Sequence, residues 1–310
     1  MVPSRDQPVE RSVMLADRLV LGTVQFGLAY GVSHKDGAVP ADEAGRILDL
    51  AWRSGARTLD TAAAYGESEQ VIGSLAVSAG FGVITKTLPI RAAALDEADI
   101  AAIEEGFRAS LEKLRRRSVD ALLIHNVQNL QGPLGAALWS RLERFRAEGA
   151  AARIGISVYD VSEAEQALER FPIEIVQLPL NVFDQKAVRS GGLERLAARG
   201  VIIHARSVFL QGLLLMDPSD LPANLSQAAT VIERWRADCA REGVTPVEAA
   251  LGFVLAQPTV AKLVVGVHSR EHLSAYLAAL GQRVALPWAS FACDDPAVID
   301  PRAWSRIWTQ

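Results

Sequence analysis

Four residues with reactive side chains stand at or just after the ends of short apolar runs. They are Asp60 (ending ARTLD), Tyr65 (five residues later), Lys86 (ending FGVITK) and His125 (ending VDALLIH). A carboxylate beside a lysine keeps the ammonium charged, and that charge favours a nearby tyrosinate. We therefore predict that Lys86, held by Asp60, lowers the pKa of Tyr65. With its reference pKa of about 10, an unassisted phenol is a poor acid near neutrality.

His125 completes this candidate proton relay, because an imidazole can donate a hydrogen bond to a carbonyl oxygen and hold it against Tyr65. Each residue taken alone is weak support for a site. An aspartate at a strand end is commonly a cap, and a lone histidine is commonly a hydrogen-bonded core residue. Only the combination of the four residues indicates proton-transfer chemistry.

The apolar runs that carry these residues recur through the whole chain. They are rich in Val, Ile and Leu without polar alternation, which is typical of strands buried on both faces of a parallel sheet. Helical patterns lie between them, as where Ile100, Ile103 and Phe107 fall on one helix face. The runs span residues 18–22, 56–60, 81–86, 119–125, 152–157, 174–178, 200–206 and 262–267.

Eight alternating strand and helix units predict the α/β fold class and a single (β/α)8 TIM barrel. Active sites of such barrels form at the carboxyl ends of the strands. Strands two, three and four would be neighbours about 4.8 Å apart, so the four polar residues are expected to meet at one rim.

The end of the chain departs from the plain repeat. Two helical stretches, 230–243 and 245–257, lie between strands seven and eight, so we predict an extra helix before strand eight. Residues 1–12 are polar and predict a flexible N-terminal tail. We predict one domain over residues 13–310, with a C-terminal extension from about residue 282.

Composition excludes several classes of function. Half of the residues are hydrophobic and 22% are charged, which is typical of a globular chain. The net charge of −4 supplies no basic excess for nucleic acid, and no apolar run is long enough to span a membrane. Two cysteines exclude a disulfide scaffold and favour a cytoplasmic protein. The five histidines follow no ligand pattern, so we expect no metal.

Four stretches resemble the aldo-keto reductase family: LGTVQFGLAYG (21–31), TLDTAAAYGESEQVIG (58–73), ITK (84–86) and LLIHN (122–126). The similarity extends from about Leu19 to about Gly281. It implies an NAD(P)H-dependent oxidoreductase that reduces an aldehyde or ketone. It also implies that Tyr65 protonates the carbonyl oxygen while a nicotinamide delivers hydride, that Lys86 and Asp60 tune Tyr65, and that His125 orients the substrate.

The resemblance also implies a cofactor site. Val158 stands where the family places an asparagine beside Ser157, so one polar contact to the carboxamide is either missing or supplied by another residue. Arg206 stands where many relatives have an aromatic ring that stacks on the nicotinamide; a planar guanidinium could stack in its place or form a salt bridge at the rim. The implied cofactor-binding residues are Gly22, Thr23, Ser157, Gln177, Arg206, Ser207, Gly212, Ser269 and Arg270.

Ser269 and Arg270 open the last helix, where a 2′-phosphate could bind free amides, so NADP(H) is expected in preference to NAD(H). Phe26 and Tyr30 are candidates for the substrate pocket. The expected partner is a small-molecule carbonyl compound, with sugar-derived carbonyls among the candidates, and no pattern specifies an oligomeric state.

Two alternatives stay open at this point. Some relatives are regulatory subunits of potassium channels that bind the cofactor tightly and turn over slowly. A Schiff-base aldolase or lyase could use Lys86 as its nucleophile, although pairing with Asp60 would keep that amine protonated.

Overall fold

Eight parallel strands close into a barrel in chain order, with β8 paired to β1. The computed structural model describes residues 15–33, 37–91, 95–282 and 284–304. Every predicted strand is present, with ends that differ from the prediction by at most two residues. The strands are β1 (Leu19–Gly22), β2 (Thr58–Asp60), β3 (Gly82–Lys86), β4 (Val119–Ile124), β5 (Ala151–Ser157), β6 (Ile175–Pro179), β7 (Ile202–Arg206) and β8 (Val260–Gly266).

Helices connect the strands and cover the barrel. The predicted (β/α)8 architecture is therefore confirmed, and so is the extra helix before strand eight, because two helices separate β7 from β8. The helices are α1 (Ala41–Arg53), α2 (Ser68–Ser74), α3 (Glu97–Leu114), α4 (Gly135–Ala147), α5 (Val161–Leu168), α6 (Lys186–Arg189), α7 (Gly192–Ala198), α8 (Ala229–Arg241), α9 (Pro246–Leu255), α10 (Arg270–Ala279) and α11 (Pro296–Ile299).

A small apolar cluster fills part of the interior of the barrel. Ile84, Ala121, Leu123 and Ile175 form this cluster apart from the main core between strands and helices. Side chains alternate along a strand, so Lys86 shares the face of Ile84 and Gln177 shares the face of Ile175. A polar layer that includes Lys86 and Gln177 therefore lies next to an apolar one, on the side of the carboxyl ends of the strands.

The segment after α10 packs back onto the barrel. Gln185 donates a hydrogen bond from Nε2 to the Trp288 carbonyl oxygen at 2.6 Å, and the backbone N–H of Cys293 donates to Phe183 at 2.9 Å. Trp304 is buried. The predicted tail at residues 1–12 lies outside the described residues, and the division of the chain into tail and domain stays a prediction. Within the described ranges no helix is long and apolar enough to cross a membrane.

Candidate active site

The carboxyl ends of β2 and β3, with the loop that follows β2, bring Asp60, Lys86 and Tyr65 together. Parallel pairing aligns Asp60 with Ile84 on β3, two residues before Lys86. The Lys86 ammonium donates a hydrogen bond to Asp60 Oδ1 at 2.5 Å, and its Nζ lies 3.5 Å from the Tyr65 hydroxyl oxygen. The sequence-predicted contact between cation and phenol is therefore present in the structure.

The ion pair of Lys86 and Asp60 is buried and fully engaged. Lys86 Nζ also donates to the Thr61 carbonyl oxygen at 2.9 Å, and Gln177 Nε2 donates to the second carboxylate oxygen of Asp60 at 2.7 Å. The side chains of Lys86 and Asp60 are 1% and 3% exposed. Burial lowers the pKa of Lys86, and the Asp60 carboxylate opposes that shift. An amine held in this way is poorly placed to form a Schiff base.

The expected lowering of the Tyr65 pKa is wrong. Burial raises the pKa of the phenol above its ordinary value, and the negative charge of Asp60 raises it further. The physical reason is that burial removes the water that would solvate a tyrosinate, and this effect outweighs the opposing positive charge of Arg206. Tyr65 is consequently protonated across the neutral range, the state that a proton donor requires.

His125 lies against the same tyrosine. The two rings meet edge to face with centroids 5.8 Å apart, and the His125 backbone N–H donates to Thr87 Oγ1 at 3.2 Å. Burial lowers the pKa of His125 to about 3, and the charges of Lys86 and Arg206 add to the effect. The imidazole is therefore neutral near pH 7, so one ring nitrogen can donate a hydrogen bond while the other accepts one.

A glycine on the first loop fixes the position of the Tyr65 loop. A Cβ atom at Gly27 would lie 2.0 Å from the Tyr65 carbonyl oxygen and 2.4 Å from the Ser68 nitrogen. We expect Gly27→Ala to lower the free energy of unfolding by about 1–3 kcal/mol because two backbone segments must separate. Urea unfolding measures the change. Gly132→Ala is the control, since no atom lies within 4 Å of its Cβ position; equal losses in both variants would contradict the packing argument.

Asp60, Tyr65, Lys86 and His125 all line a cavity of about 700 Å³. A volume of this size is in the range of small-molecule and cofactor sites. The phenol of Tyr65 and the imidazole of His125 both line this cavity, so a ligand bound there can contact both groups. The other sequence-predicted residues that line the cavity are Gly22, Tyr30, Ser157, Gln177, Arg206, Ser207 and Gly212.

Four sequence-predicted residues do not line the cavity. The Thr23 hydroxyl donates to the Asp60 carbonyl oxygen at 2.9 Å and so braces the end of β2, while Phe26 is buried in the main core. Ser269 caps α10 by accepting a hydrogen bond from the His272 N–H at 3.3 Å. The Arg270 N–H donates to the Glu43 carboxylate at 2.9 Å, and its side chain is exposed.

The structure adds cavity residues that the sequence did not single out. Gln25 and Gln211 line the cavity, and their Oε1 atoms are buried without a hydrogen-bond partner among the described residues. Gln25 lies inside the stretch 21–31 that resembles the family, and Gln211 directly precedes Gly212, so their positions in the sequence could have indicated them. Buried acceptors normally find a donor, so these two oxygens indicate a ligand that carries N–H or O–H groups.

The loop after β7 has an unusual backbone. Ser207, Gln211 and Gly212 have φ values of 58°, 56° and 94°, in the left-handed region. A Cβ atom at Gly212 would lie 2.2 Å from Ser33 Oγ, and Gln211 Nε2 donates to the Tyr30 hydroxyl at 2.8 Å. The loops after β1 and β7 therefore touch across the cavity. Strained backbone of this kind is concentrated at ligand sites.

A profile of the aldo/keto reductase family matches residues 18–287. The chain belongs to the aldo-keto reductase family. Members of this family are oxidoreductases that act on carbonyls or alcohols and use nicotinamide cofactors.

Individual aldo-keto reductases are only distantly similar. An aldo-keto reductase from Mycolicibacterium vanbaalenii is 28% identical over 62% of this chain and 69% of its own length. A D-threo-aldose 1-dehydrogenase from Pseudomonas sp. is 27% identical over 77% of this chain and 84% of its own length.

Solved aldo-keto reductases share the fold. An enzyme from Bacillus halodurans, solved in a holo form, superimposes with a TM-score of 0.70 at 19% identity, over 89% of this chain and 92% of its own. A glycerol dehydrogenase from Gluconobacter oxydans has a TM-score of 0.66 at 22% identity, over 86% and 88% of the two chains.

The cavity of this aldo-keto reductase fits a nicotinamide nucleotide. Carboxamide and ribose groups carry the N–H and O–H donors that the Oε1 atoms of Gln25 and Gln211 lack. Ser157 and Gln177 lie opposite each other on β5 and β6 and would hold the nicotinamide end. Across the described residues, no group of three His, Cys, Asp or Glu side chains is arranged to hold a metal ion.

A second buried histidine should make stability depend on pH. His204 on β7 is 4% exposed, and burial lowers its pKa from 6.5 to about 4, with Asp60 opposing the shift. Between these two pKa values the unfolded chain binds more protons, so stability is lost as the pH falls. We expect this residue to account for about 2 kcal/mol of the loss between pH 7 and 5. Urea unfolding of wild type and His204→Gln at both pH values tests it; equal losses would contradict the assignment.

Proposed function

We propose that this protein is an NAD(P)H-dependent reductase that converts an aldehyde or ketone into an alcohol. One observation carries the proposal: the Tyr65 hydroxyl lies 3.5 Å from Lys86 Nζ, which is itself bound to Asp60, at the end of a ligand-sized cavity. Family membership supplies the reaction class, and this contact supplies the proton donor.

The chain's own residues would handle the carbonyl oxygen. Tyr65 and the neutral His125 face the same part of the cavity, so a carbonyl oxygen placed there can accept a hydrogen bond from each. A bound nicotinamide supplies hydride to the carbonyl carbon. Tyr65 gives its proton to the oxygen as negative charge develops there, since an alkoxide is a far stronger base than a phenolate. Lys86 then stabilises the tyrosinate that remains.

The reverse reaction is the second candidate. The related proteins named D-threo-aldose 1-dehydrogenase and glycerol dehydrogenase oxidise hydroxylated compounds, as their names state. Because a catalyst accelerates both directions, the tyrosinate form of Tyr65, stabilised by Lys86, would accept a proton from an alcohol. We therefore include sugars and polyols among the first substrates to test.

We further propose that the protein binds NADPH in preference to NADH. His268 and His272 line the cavity near the start of α10, which supports an anion at that end. The Glu43 carboxylate, which accepts the Arg270 N–H at 2.9 Å, opposes it by occupying one amide and adding negative charge. We also propose that the protein acts in the cytoplasm, in keeping with its two free cysteines. Its proposed partner is a small-molecule carbonyl compound.

Titration of the purified protein with NADPH and NADH, followed by nicotinamide fluorescence, tests the cofactor. We expect both to bind and NADPH to bind more tightly. Adding aldehydes, ketones, aldoses and polyols then tests turnover by absorbance of the reduced nicotinamide. Tight binding without turnover of any compound would favour the regulatory alternative. Borohydride trapping of a substrate on Lys86 without nicotinamide would favour the Schiff-base alternative.

A further inference from the structure

Arg206 places a positive charge beside the candidate catalytic residues. It ends β7, pairs with Pro179 on β6, and its half-buried side chain lines the cavity. His204, two residues earlier on the same strand, pairs with Gln177. Since each strand residue rises about 3.3 Å, Arg206 lies roughly 7 Å nearer the rim than the layer of Gln177.

Neutral groups hold the guanidinium in place. One terminal nitrogen donates to the Val158 carbonyl oxygen at 2.9 Å, and the other donates to Ser207 Oγ at 3.3 Å. The guanidinium carbon lies 4.3 Å from the centroid of the Tyr159 ring. These contacts fix the side chain and use two of the five N–H groups of an arginine, so donors remain for a ligand.

No carboxylate balances this charge. Over the ranges that the structure describes, no Asp or Glu oxygen lies within 4.0 Å of the Arg206 guanidinium. The acids near it are already engaged: Asp60 with Lys86 at 2.5 Å and Asp184 with Lys186 at 3.8 Å. The Arg206 charge nevertheless reaches the reacting groups, since it lowers the pKa of His125 and opposes the rise in the pKa of Tyr65.

Arg302 provides an internal comparison. Its guanidinium also stacks on Tyr159, at 3.7 Å from the ring centroid. Unlike Arg206, it binds a carboxylate, with Nε and Nη2 donating to the two oxygens of Asp300 at 3.0 and 2.7 Å. One tyrosine therefore contacts one arginine with a charge partner and one arginine without.

We propose that Arg206 is the anchor of an anion-binding subsite and that the preferred carbonyl substrates carry a carboxylate. This inference rests on the proposed reductase function for its substrate class. A planar guanidinium matches a carboxylate in shape and can bind both of its oxygens. A cofactor phosphate has the same chemistry, but Arg206 donates to the carbonyl oxygen of Val158, the neighbour of Ser157, and so lies in the part of the cavity proposed for the nicotinamide ring and the reacting carbonyl and away from the phosphates.

A matched pair of substrates tests the proposal. 4-Carboxybenzaldehyde and methyl 4-formylbenzoate differ in charge and little in shape. We expect wild type to prefer the carboxylate in kcat/KM, and Arg206→Gln to reduce the ratio of the two kcat/KM values by at least about tenfold. The ratio cancels any common effect on fold or cofactor. Arg206→Lys should keep part of the preference, and Arg302→Gln, the control, should keep all of it.

Equal loss on both substrates in Arg206→Gln, together with weaker NADPH binding, would assign the residue to the cofactor and overturn the proposal. A binding arm is independent of turnover: calorimetry compares benzoate with the neutral benzamide. We expect benzoate to bind more tightly than benzamide to wild type, and this difference to be lost in Arg206→Gln. If that result is obtained but wild type reduces no carbonyl, the reductase function fails and the anion-binding subsite stands. Equal binding of benzoate and benzamide, with carbonyl reduction intact, would overturn the subsite and leave the function standing.

Discussion

We expect the Tyr65→Phe variant to lose at least about a hundredfold in kcat, because general acid catalysis contributes roughly 10²–10⁴ to the rate. The substitution removes one hydroxyl, the group that lies 3.5 Å from Lys86 Nζ, and keeps the ring that meets His125 edge to face. No other described hydroxyl in the cavity has a buried ammonium beside it. The measurement is steady-state reduction of the best carbonyl from the substrate panel.

The same variant should bind reduced cofactor with nearly wild-type affinity, because Gln25, Gln177 and the loop after β7 are unchanged. Nicotinamide fluorescence measures this binding, and the urea-unfolding midpoint confirms that the variant is folded. Retention of full activity would remove Tyr65 from the mechanism. Loss of activity together with loss of cofactor binding would point to a structural role.

Removing Lys86 should have the largest effect on stability. In Lys86→Met the Asp60 carboxylate stays 2% exposed and keeps only the Gln177 side chain, at 2.7 Å, of its two side-chain donors. Breaking a buried ion pair in this way costs about 3–5 kcal/mol, because a charge is left buried without its partner. Urea unfolding of the variant at neutral pH measures the loss, and carbonyl reduction should fall with it since the tyrosinate loses its stabilising cation.

The double variant Asp60→Asn/Lys86→Met isolates the charge effect. With no uncompensated carboxylate left, it should be more stable than Lys86→Met alone, although it has lost the same lysine. Carbonyl reduction should not recover in the double variant, because the ammonium beside Tyr65 is still missing. If single and double variants unfold at the same urea concentration, packing of the lysine side chain accounts for the loss and the unpaired charge does not.

The architecture could be predicted because it follows from local patterns. Runs of Val, Ile and Leu are typical of parallel strands buried on both faces. Because eight such strands alternate regularly with helices, and an open sheet would have two edges, a closed barrel was the predicted arrangement. The relay followed in the same way, since the strand ends of β2, β3 and β4 are adjacent in any such barrel. The contact between Lys86 and Tyr65 needed no other knowledge of the fold.

Phe26 and Ser269 show where this reasoning stopped. Both stand beside residues that line the cavity, but a strand or turn directs neighbouring side chains to different sides. Phe26 packs in the core while Gln25, its neighbour, lines the cavity with an unpartnered oxygen. A sequence motif specifies which segment approaches a ligand, and the local backbone direction specifies which of its side chains does so.

The amino-acid sequence by itself determined the barrel, the family and the set of four residues at its rim, because these depend on periodicity and on the order of elements along the chain. Only the tertiary structure decided the sign of the Tyr65 pKa shift and the absence of a carboxylate partner for Arg206 among the described residues. The first depends on how deeply folding buries the phenol, and the second on which side chains folding brings within reach of the guanidinium. Gln177 is 117 residues from Asp60 along the chain, yet its side chain donates a hydrogen bond to that carboxylate, because only folding brings the two groups together.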